Sequence, residues 1–141
     1  MDSLLTQLAR CCKPAPPDEI RGFVTRGKGV SIHRGNCPNF RELVSRSPER
    51  VIDVQWATGS ANLPAFYPVD IAVEAVDRQG LLRDISEVFS KESMNVIGVQ
   101  TSTVKGIAWM TFTVEVTHSG RLAHVLSVVG RIAGVRHARR Q

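Results

Sequence analysis

The alternation of apolar and polar residues is clearest in the second half of the chain. Val69, Ile71 and Val73 alternate with polar or small residues, which predicts a strand with one buried face. Further segments show the helical spacing of apolar residues or an enrichment in β-branched side chains. In chain order the predicted elements are a strand at 69–75, a helix from 81 to 89, strands at 95–103 and 107–116, a helix from 122 to 132 ended by Gly134, and a strand at 135–139.

This order of elements, β-α-β-β-α-β, fits within about 75 residues, the length of a small domain. It predicts an α+β ferredoxin-like fold, in which both helices cover one face of a four-stranded antiparallel sheet. The other face of the sheet is left open. We therefore expect the domain to pair with another domain, a second chain or a larger complex.

The first half of the chain has a weaker pattern with more turn residues. Pro38 is favourable at the first position of a helix, and glycines separate two short β-rich runs into a hairpin. Together the segments predict a small ββαβ-like unit that a bound metal would help to stabilise. The predicted elements are a helix at 3–10, strands at 19–25 and 30–33 joined by a turn at 26–29, a helix from 38 to about 45, and a strand at 51–56.

Periodicity is lost between residues 57 and 66, where small and turn residues accumulate. This change predicts a boundary between two small domains, which 141 residues can accommodate. The predicted division is a cysteine-containing module at 1–56, a linker at 57–66 and a second domain at 67–141.

The composition, 43% hydrophobic, is that of a folded globular chain. No apolar run approaches the ~20 residues of a membrane span, and the first residues do not have the shape of a signal peptide, so we expect a cytoplasmic protein.

The net charge of +5 is concentrated near the N-terminus, where residues 10–41 hold seven Lys or Arg against two acidic residues. Over residues 67–141 the numbers are nine and seven. A basic patch on a small module favours binding to a polyanion, although a solvated surface would have the same composition. The residues expected to contact RNA phosphates are Arg10, Lys13, Arg26, Lys28 and Arg34.

All three cysteines lie in the first 37 residues, together with a histidine four positions before the last of them. Cys11, Cys12, His33 and Cys37 offer the thiolate and imidazole ligands that Zn²⁺ prefers in a closed tetrahedral site. A turn must bend the chain at the adjacent cysteines for both to face one ion. Two alternatives remain open: buried reduced thiols, which pack as small hydrophobes, and an enzyme in which Cys12 is a nucleophile and His33 its base.

The turn that begins the first helix of the second half carries the motif Asp77-Arg78-Gln79-Gly80-Leu81-Leu82. With Asn95-Val96-Ile97 and the βαββαβ order, it resembles an ACT domain, a regulatory module that binds small ligands, usually amino acids. Gly80 allows a close backbone approach, and the N–H groups at a helix start can hold a carboxylate. Leu81 and Ile97 would bound an apolar pocket that suits a branched-chain amino acid, and we expect a homodimer through this domain. The expected ligand-binding residues are Asp77, Gln79, Gly80, Leu81, Asn95 and Ile97.

The two halves together are similar to the C-terminal regulatory region of long RelA/SpoT-type (p)ppGpp synthetases, over nearly all of the chain. This family usually has Asp immediately before the third cysteine, whereas this chain has Asn36. The motifs that carry the resemblance are Ala9-Arg10-Cys11-Cys12-Lys13-Pro14, then Asp18-Glu19-Ile20-Arg21-Gly22-Phe23, then Gly27-Lys28-Gly29-Val30-Ser31-Ile32-His33-Arg34, then Cys37 and the ACT domain.

This second resemblance implies a noncatalytic fragment of a GTP pyrophosphokinase, the enzyme that transfers pyrophosphate from ATP to GTP or GDP. The cysteine module would be the zinc-finger or ribosome-intersubunit domain, which contacts ribosomal RNA in the tRNA-bound ribosome during the stringent response. A free-standing amino-acid sensor with an N-terminal dimerisation module is the alternative. An RNA footprint on residues 10–41 would favour the first function, and amino-acid binding without RNA affinity the second.

Overall fold

A computed structural model describes residues 6–27, 29–56 and 66–141. The N-terminal module contains a four-stranded sheet in the order β1-β3-β2-β4, in which β1 runs parallel to β3 and the other pairs are antiparallel. A 3₁₀ turn at Pro48–Arg50 precedes the last strand. The elements are β1 (Thr6–Leu8), β2 (Ile20–Thr25), β3 (Gly29–Arg34), helix α1 (Pro38–Arg46) and β4 (Val51–Ile52).

Two sequence predictions for this module are wrong. Within the predicted helix at 3–10, the described part forms strand β1, since Thr6–Leu8 pairs with β3 and the N–H of Ala9 donates to the carbonyl of Ile32. Sheet pairing outweighs the helical propensity of so short a segment. The predicted strand at 51–56 ends at Ile52, and beyond it the ring of Trp56 packs against that of Tyr67 instead of continuing the sheet.

The second half has the predicted β-α-β-β-α-β order and is confirmed as an α+β ferredoxin-like domain. Its sheet order is β6-β7-β5-β8, with every neighbouring pair antiparallel. The second helix ends at Gly130 rather than at the predicted Gly134, which instead turns the chain into the last strand at φ +93°. The elements are β5 (Tyr67–Val76), α2 (Leu81–Lys91), β6 (Asn95–Val104), β7 (Ile107–Val116), α3 (Leu122–Gly130) and β8 (Val135–Arg140).

Both helices of this domain pack on one face of the sheet and enclose its main core. Phe89 of α2 and Phe112 of β7 are fully buried, with ring centroids 5.3 Å apart. The alternating residues of β5 and β7 that point to this side are buried throughout. None of the described helices is both long and apolar enough to cross a bilayer.

The segment of residues 13–18, which we term the docking loop, packs against the end of the second domain. Pro14 and Ala15 are fully buried, and Ala15 belongs to the core cluster of the β5–β8 domain. Asp18 accepts hydrogen bonds from Arg140 at 2.7 and 2.8 Å and from the Ser119 hydroxyl at 2.9 Å. The two halves are therefore packed directly against each other through buried side chains and hydrogen bonds. Residues 57–65 of the predicted linker lie outside the described residues. The predicted domain boundaries stay a prediction.

Candidate metal centre

Three elements of the module bring the four predicted ligands together. Cys11 and Cys12 lie in the turn after β1, His33 is near the end of β3, and Cys37 is the residue that caps the start of α1. Their ligand atoms all lie within 4.8 Å of one another. The prediction that these side chains meet in one site is confirmed.

The local backbone explains how two adjacent cysteines face the same point. The N–H of Lys13 donates to the carbonyl of Ala9 at 3.0 Å, and Lys13 has a φ of +44°. This tight turn supplies the bend that an extended chain lacks. The N–H of Arg34 also donates to Cys12 Sγ at 3.3 Å, which fixes that sulfur against strand β3.

Three distances between these ligand atoms are close to those between the corners of a tetrahedral zinc site. Cys11 Sγ lies 3.5 Å from His33 Nδ1 and 3.6 Å from Cys37 Sγ, and Cys12 Sγ lies 3.9 Å from His33 Nδ1. Zinc bonds of about 2.3 Å to sulfur and 2.0 Å to nitrogen place tetrahedral ligands roughly 3.5 to 3.8 Å apart. The donor set and its spacing therefore fit Zn²⁺.

Without a metal, the surroundings of Cys12 favour its protonated thiol over the thiolate. Burial, together with the neighbouring Cys37 thiol, raises the pKa of Cys12 to about 12, although the Arg34 N–H opposes the shift. Burial also raises the pKa of Cys37, but hydrogen bonds from the Phe40 N–H and the neighbouring thiols outweigh it, so its pKa is lowered overall. Cys12 would therefore be a weak nucleophile at neutral pH without a metal, which disfavours the interpretation of Cys12 and His33 as a catalytic pair.

His33 is oriented by contacts on both sides of its ring. Its Nε2 lies 3.0 Å from the Ser31 hydroxyl, and its ring centroid lies 5.5 Å from that of Phe40. Burial lowers the pKa of His33, which favours the neutral imidazole that a metal requires. With Nδ1 as the ligand, Nε2 carries the proton and donates to Ser31, an outer contact typical of metal-bound histidine. Bound Zn²⁺ would supply ligand bonds that tie the β1 turn, β3 and α1 together.

A groove of about 890 Å³ lies beside this centre, and arginines from three separate segments of the module line it. Arg10 and Arg26 were predicted from the local charge, whereas Arg50 was missed because it belongs to no basic run in the sequence. Only the path of the chain after α1 brings it to the hairpin. The groove is lined by Gln7, Leu8, Ala9, Arg10, Cys11, Phe23, Thr25, Arg26, Ser31, His33, Asn39, Glu42, Leu43 and Arg50.

The other residues predicted to bind RNA are placed differently. Lys13 donates to the Asp70 carboxylate at 2.5 Å, and Arg34 donates to the backbone oxygen of Gln141 at 2.6 Å. Both side chains therefore contribute to the contact between the two domains. Lys28 lies outside the described residues.

The residues predicted to bind an amino acid do not lie together in this chain. Asp77, Gly80 and Leu81 line a cavity of about 340 Å³, with exposed Gln79 beside it. Asn95, expected near this turn, instead pairs with Glu115 at the opposite end of the sheet.

The direction of the strands explains the error in placing Asn95 and Ile97. Both β5 and β6 are antiparallel to β7 and therefore run in the same direction, so the start of β6 lies far from the end of β5. Asn95 faces Glu115, whereas Val76 faces Ile107. At about 3.3 Å per residue the separation is roughly 26 Å.

Comparison with known protein families supports both domain assignments. Residues 1–57 match the model of the RelA/SpoT RIS domain, and residues 64–140 match that of the ACT domain. The chain is 39% identical over 140 residues to GTP pyrophosphokinase of Escherichia coli strain K12, covering 98% of this chain and 18% of that protein. It is 43% identical over 137 residues to GTP pyrophosphokinase of Streptomyces coelicolor, covering 96% of this chain and 16% of that protein.

Solved structures similar to the second domain include the ACT domain of GTP pyrophosphokinase from Chlorobium tepidum in solution. It has a TM-score of 0.48 and 19% identity, and the match covers 55% of this chain and 89% of that one. The chain spans less than a fifth of the length of the curated relatives it matches. By its family matches, the chain belongs to the ACT-domain family and carries, in front of its ACT domain, the RIS domain of RelA/SpoT proteins.

Proposed function

We propose that this chain is the noncatalytic regulatory region of a bacterial (p)ppGpp synthetase, or GTP pyrophosphokinase. In this role it binds ribosomal RNA through the N-terminal module and transmits the signal of amino-acid starvation in the stringent response. The matched RIS and ACT domains and the relatives named GTP pyrophosphokinase support the proposal. The transferase activity would belong to the rest of the parent protein. Ribosome binding in turn implies a cytoplasmic protein.

The observation that carries this proposal is the arginine-lined groove beside the candidate metal centre. Arg10 follows β1, Arg26 is at the tip of the β2–β3 hairpin, and Arg50 follows α1. Guanidinium groups bind phosphate oxygens with two parallel hydrogen bonds, and structured RNA is recognised largely through its shape and backbone. A metal bound to the turn after β1, to β3 and to the start of α1 would restrict movement between the segments that carry the three cations.

Co-sedimentation with ribosomes tests the groove. Arg10→Glu combined with Arg26→Glu should weaken binding at every salt concentration and lower the salt slope by about one for each lost phosphate contact. Arg41→Glu is the matched control, because Arg41 is exposed on α1 outside the groove. Equal affinities for the wild type and the double variant would rule out the groove as the ribosome-binding surface.

We also propose a free amino acid as a ligand of the cavity at the start of α2. Gly80 adopts a φ of +81°, so a larger residue would be strained there, and its Cβ would meet Arg83 Nη2 at 3.3 Å. The cavity combines the backbone at a helix start with the apolar Leu81 and Met110, which suits a branched aliphatic side chain. Calorimetry with valine, isoleucine and leucine should detect heat for the wild type and none for Gly80→Trp. The absence of binding at millimolar concentration would contradict this second function.

A homodimer through the ACT domain is a further part of the proposal. Strand β6 is at the edge of its sheet, and its apolar side chains Ile97, Val99 and Val104 are exposed. Such an edge offers backbone groups to a second strand. Sedimentation should show a dimer that Ile97→Lys weakens, and a monomeric wild type at high concentration would contradict it.

A further inference from the structure

The docking loop begins directly after one of the candidate metal ligands. Cys12 is that ligand, and Lys13 follows it with a φ of +44°, in the tight turn that lets both cysteines face one point. The next two residues, Pro14 and Ala15, are fully buried, and Ala15 belongs to the core of the ACT domain. Only two residues therefore separate a metal ligand from a side chain in the core of the other domain.

The ACT domain holds Lys13 by both its backbone and its side chain. The carbonyl of Lys13 accepts a hydrogen bond from Arg140 Nη2 at 2.9 Å, and its ammonium group donates to the Asp70 carboxylate at 2.5 Å. The side chains of Lys13 and Asp70 are only 26% and 20% exposed, so solvent screens this ion pair incompletely. These contacts restrict the turn on which Cys11 and Cys12 lie.

A second connection links the metal centre to the ACT domain from strand β3. The backbone N–H of Arg34, the residue after the candidate ligand His33, donates to Cys12 Sγ at 3.3 Å. The guanidinium group of Arg34 donates to the backbone oxygen of Gln141 at 2.6 Å. Gln141 directly follows β8, the strand that carries Arg140. The neighbours of two ligands, Cys12 and His33, are thus bound to the same part of the ACT domain.

We propose that metal binding at this centre and docking of the ACT domain on the N-terminal module are thermodynamically coupled, so that each stabilises the other. When the four ligands are held together by Zn²⁺, the turn is fixed in the position from which Lys13 and Ala15 reach the ACT domain. Coupling of this kind is reciprocal, so contacts made by the ACT domain also set the affinity for the metal. Metal occupancy then controls how firmly the ACT domain is held, whether or not the chain binds a ribosome.

Substitutions within the ACT domain test the coupling, because they change no residue of the metal centre. The Zn²⁺ affinity of the reduced 141-residue chain is measured by competition with a chromogenic chelator. Asp70→Asn and Arg140→Gln each remove a contact to Lys13 and should weaken the affinity by about 5- to 150-fold, the usual range for coupled sites. Asp70→Asn should lie at the lower end, since its ion pair is partly exposed.

The matched control is Arg136→Gln, which also replaces an arginine of β8. The Arg136 side chain is 53% exposed and pairs with Glu74, away from the docking loop, so this variant should keep the affinity of the wild type. Circular dichroism of each variant checks that both domains remain folded. If Arg140→Gln does not fold, the milder Asp70→Asn still decides the outcome.

The reverse effect, of the metal on docking, is measured at a backbone amide of the ACT domain. The N–H of Ser119 donates to the carbonyl of Pro16 in the docking loop at 2.6 Å, so its protection from hydrogen exchange reports docking. Chelation of Zn²⁺ should speed exchange at Ser119 and leave the amides between β5 and β7 protected. Unchanged exchange at Ser119, a wild-type Zn²⁺ affinity in Asp70→Asn, or a chain that binds no zinc would each overturn the proposal.

Discussion

Replacing Asp18 with alanine removes the acceptor at the centre of the contact between the two domains. Its carboxylate accepts hydrogen bonds from the N–H of Ala15, the hydroxyl of Ser119 and two nitrogens of Arg140. The side chains of Asp18 and Arg140 are only 13% and 15% exposed. The substitution therefore leaves a mostly buried guanidinium without its counter-charge.

The expected loss in the free energy of unfolding follows from this burial. Removing one partner of a buried ion pair costs about 3 to 5 kcal/mol, and the remaining exposure of Asp18 and Arg140 favours the lower end, about 3 kcal/mol. For a chain of this size that loss corresponds to a fall of roughly 6 to 12 °C in the melting temperature. Asp18→Asn keeps one of the two acceptor oxygens, but it loses the charge and turns an amide NH₂ group towards donors, so most of this effect should remain.

Urea unfolding measured by circular dichroism provides the free energy of unfolding for both variants. Asp53→Ala is the matched control, because the Asp53 side chain is 96% exposed and lies 3.8 Å from Arg21. An exposed pair of this kind should change the stability by no more than about 0.5 kcal/mol. If Asp18→Ala is as stable as Asp53→Ala, the ion pair does not hold the domains together and the reasoning fails.

Three further predictions concern the pH, the metal and the core. The folded-state pKa of Asp18 is lowered, because the bonds from Arg140, Ala15 and Ser119 outweigh the opposing effect of burial. Its contribution is thus complete above the unfolded pKa of about 3.9 and lost as the pH falls through the folded value, so the stability gap between wild type and Asp18→Asn should narrow on acidification below about pH 4; a gap that stays constant as the pH is lowered would contradict this. Elemental analysis should find about one zinc per chain, and a chelator should lower the melting temperature of the N-terminal module and free its thiols to titration; full stability of zinc-free protein would identify the cysteines as core residues. Phe89→Ala should cost about 3 to 5 kcal/mol in urea unfolding, because it opens a cavity against Phe112, and a loss below about 1 kcal/mol would refute close packing there.

The order of elements in the ACT domain follows from local patterns in the sequence. The alternation of buried and exposed residues in β5 and β7 and the helical spacing of apolar residues in α2 are local patterns. The residues of each strand alone therefore indicate which of its faces is buried. The four metal-ligand candidates were also identifiable, because cysteine and histidine carry their chemistry wherever the chain places them.

Contacts between distant segments depend on how the whole chain folds and are not visible in local patterns. Thr6–Leu8 forms a strand because it pairs with β3, which lies more than 20 positions later in the chain. Asp18 binds Arg140, which is 122 positions away in the sequence. The separation of Asn95 from Gly80 depends on the direction of β6 relative to β5, which no local pattern encodes. Periodicity shows which face of one segment is buried, whereas its partner across the core is set by the packing of the whole chain. The arginine-lined groove arises from such packing.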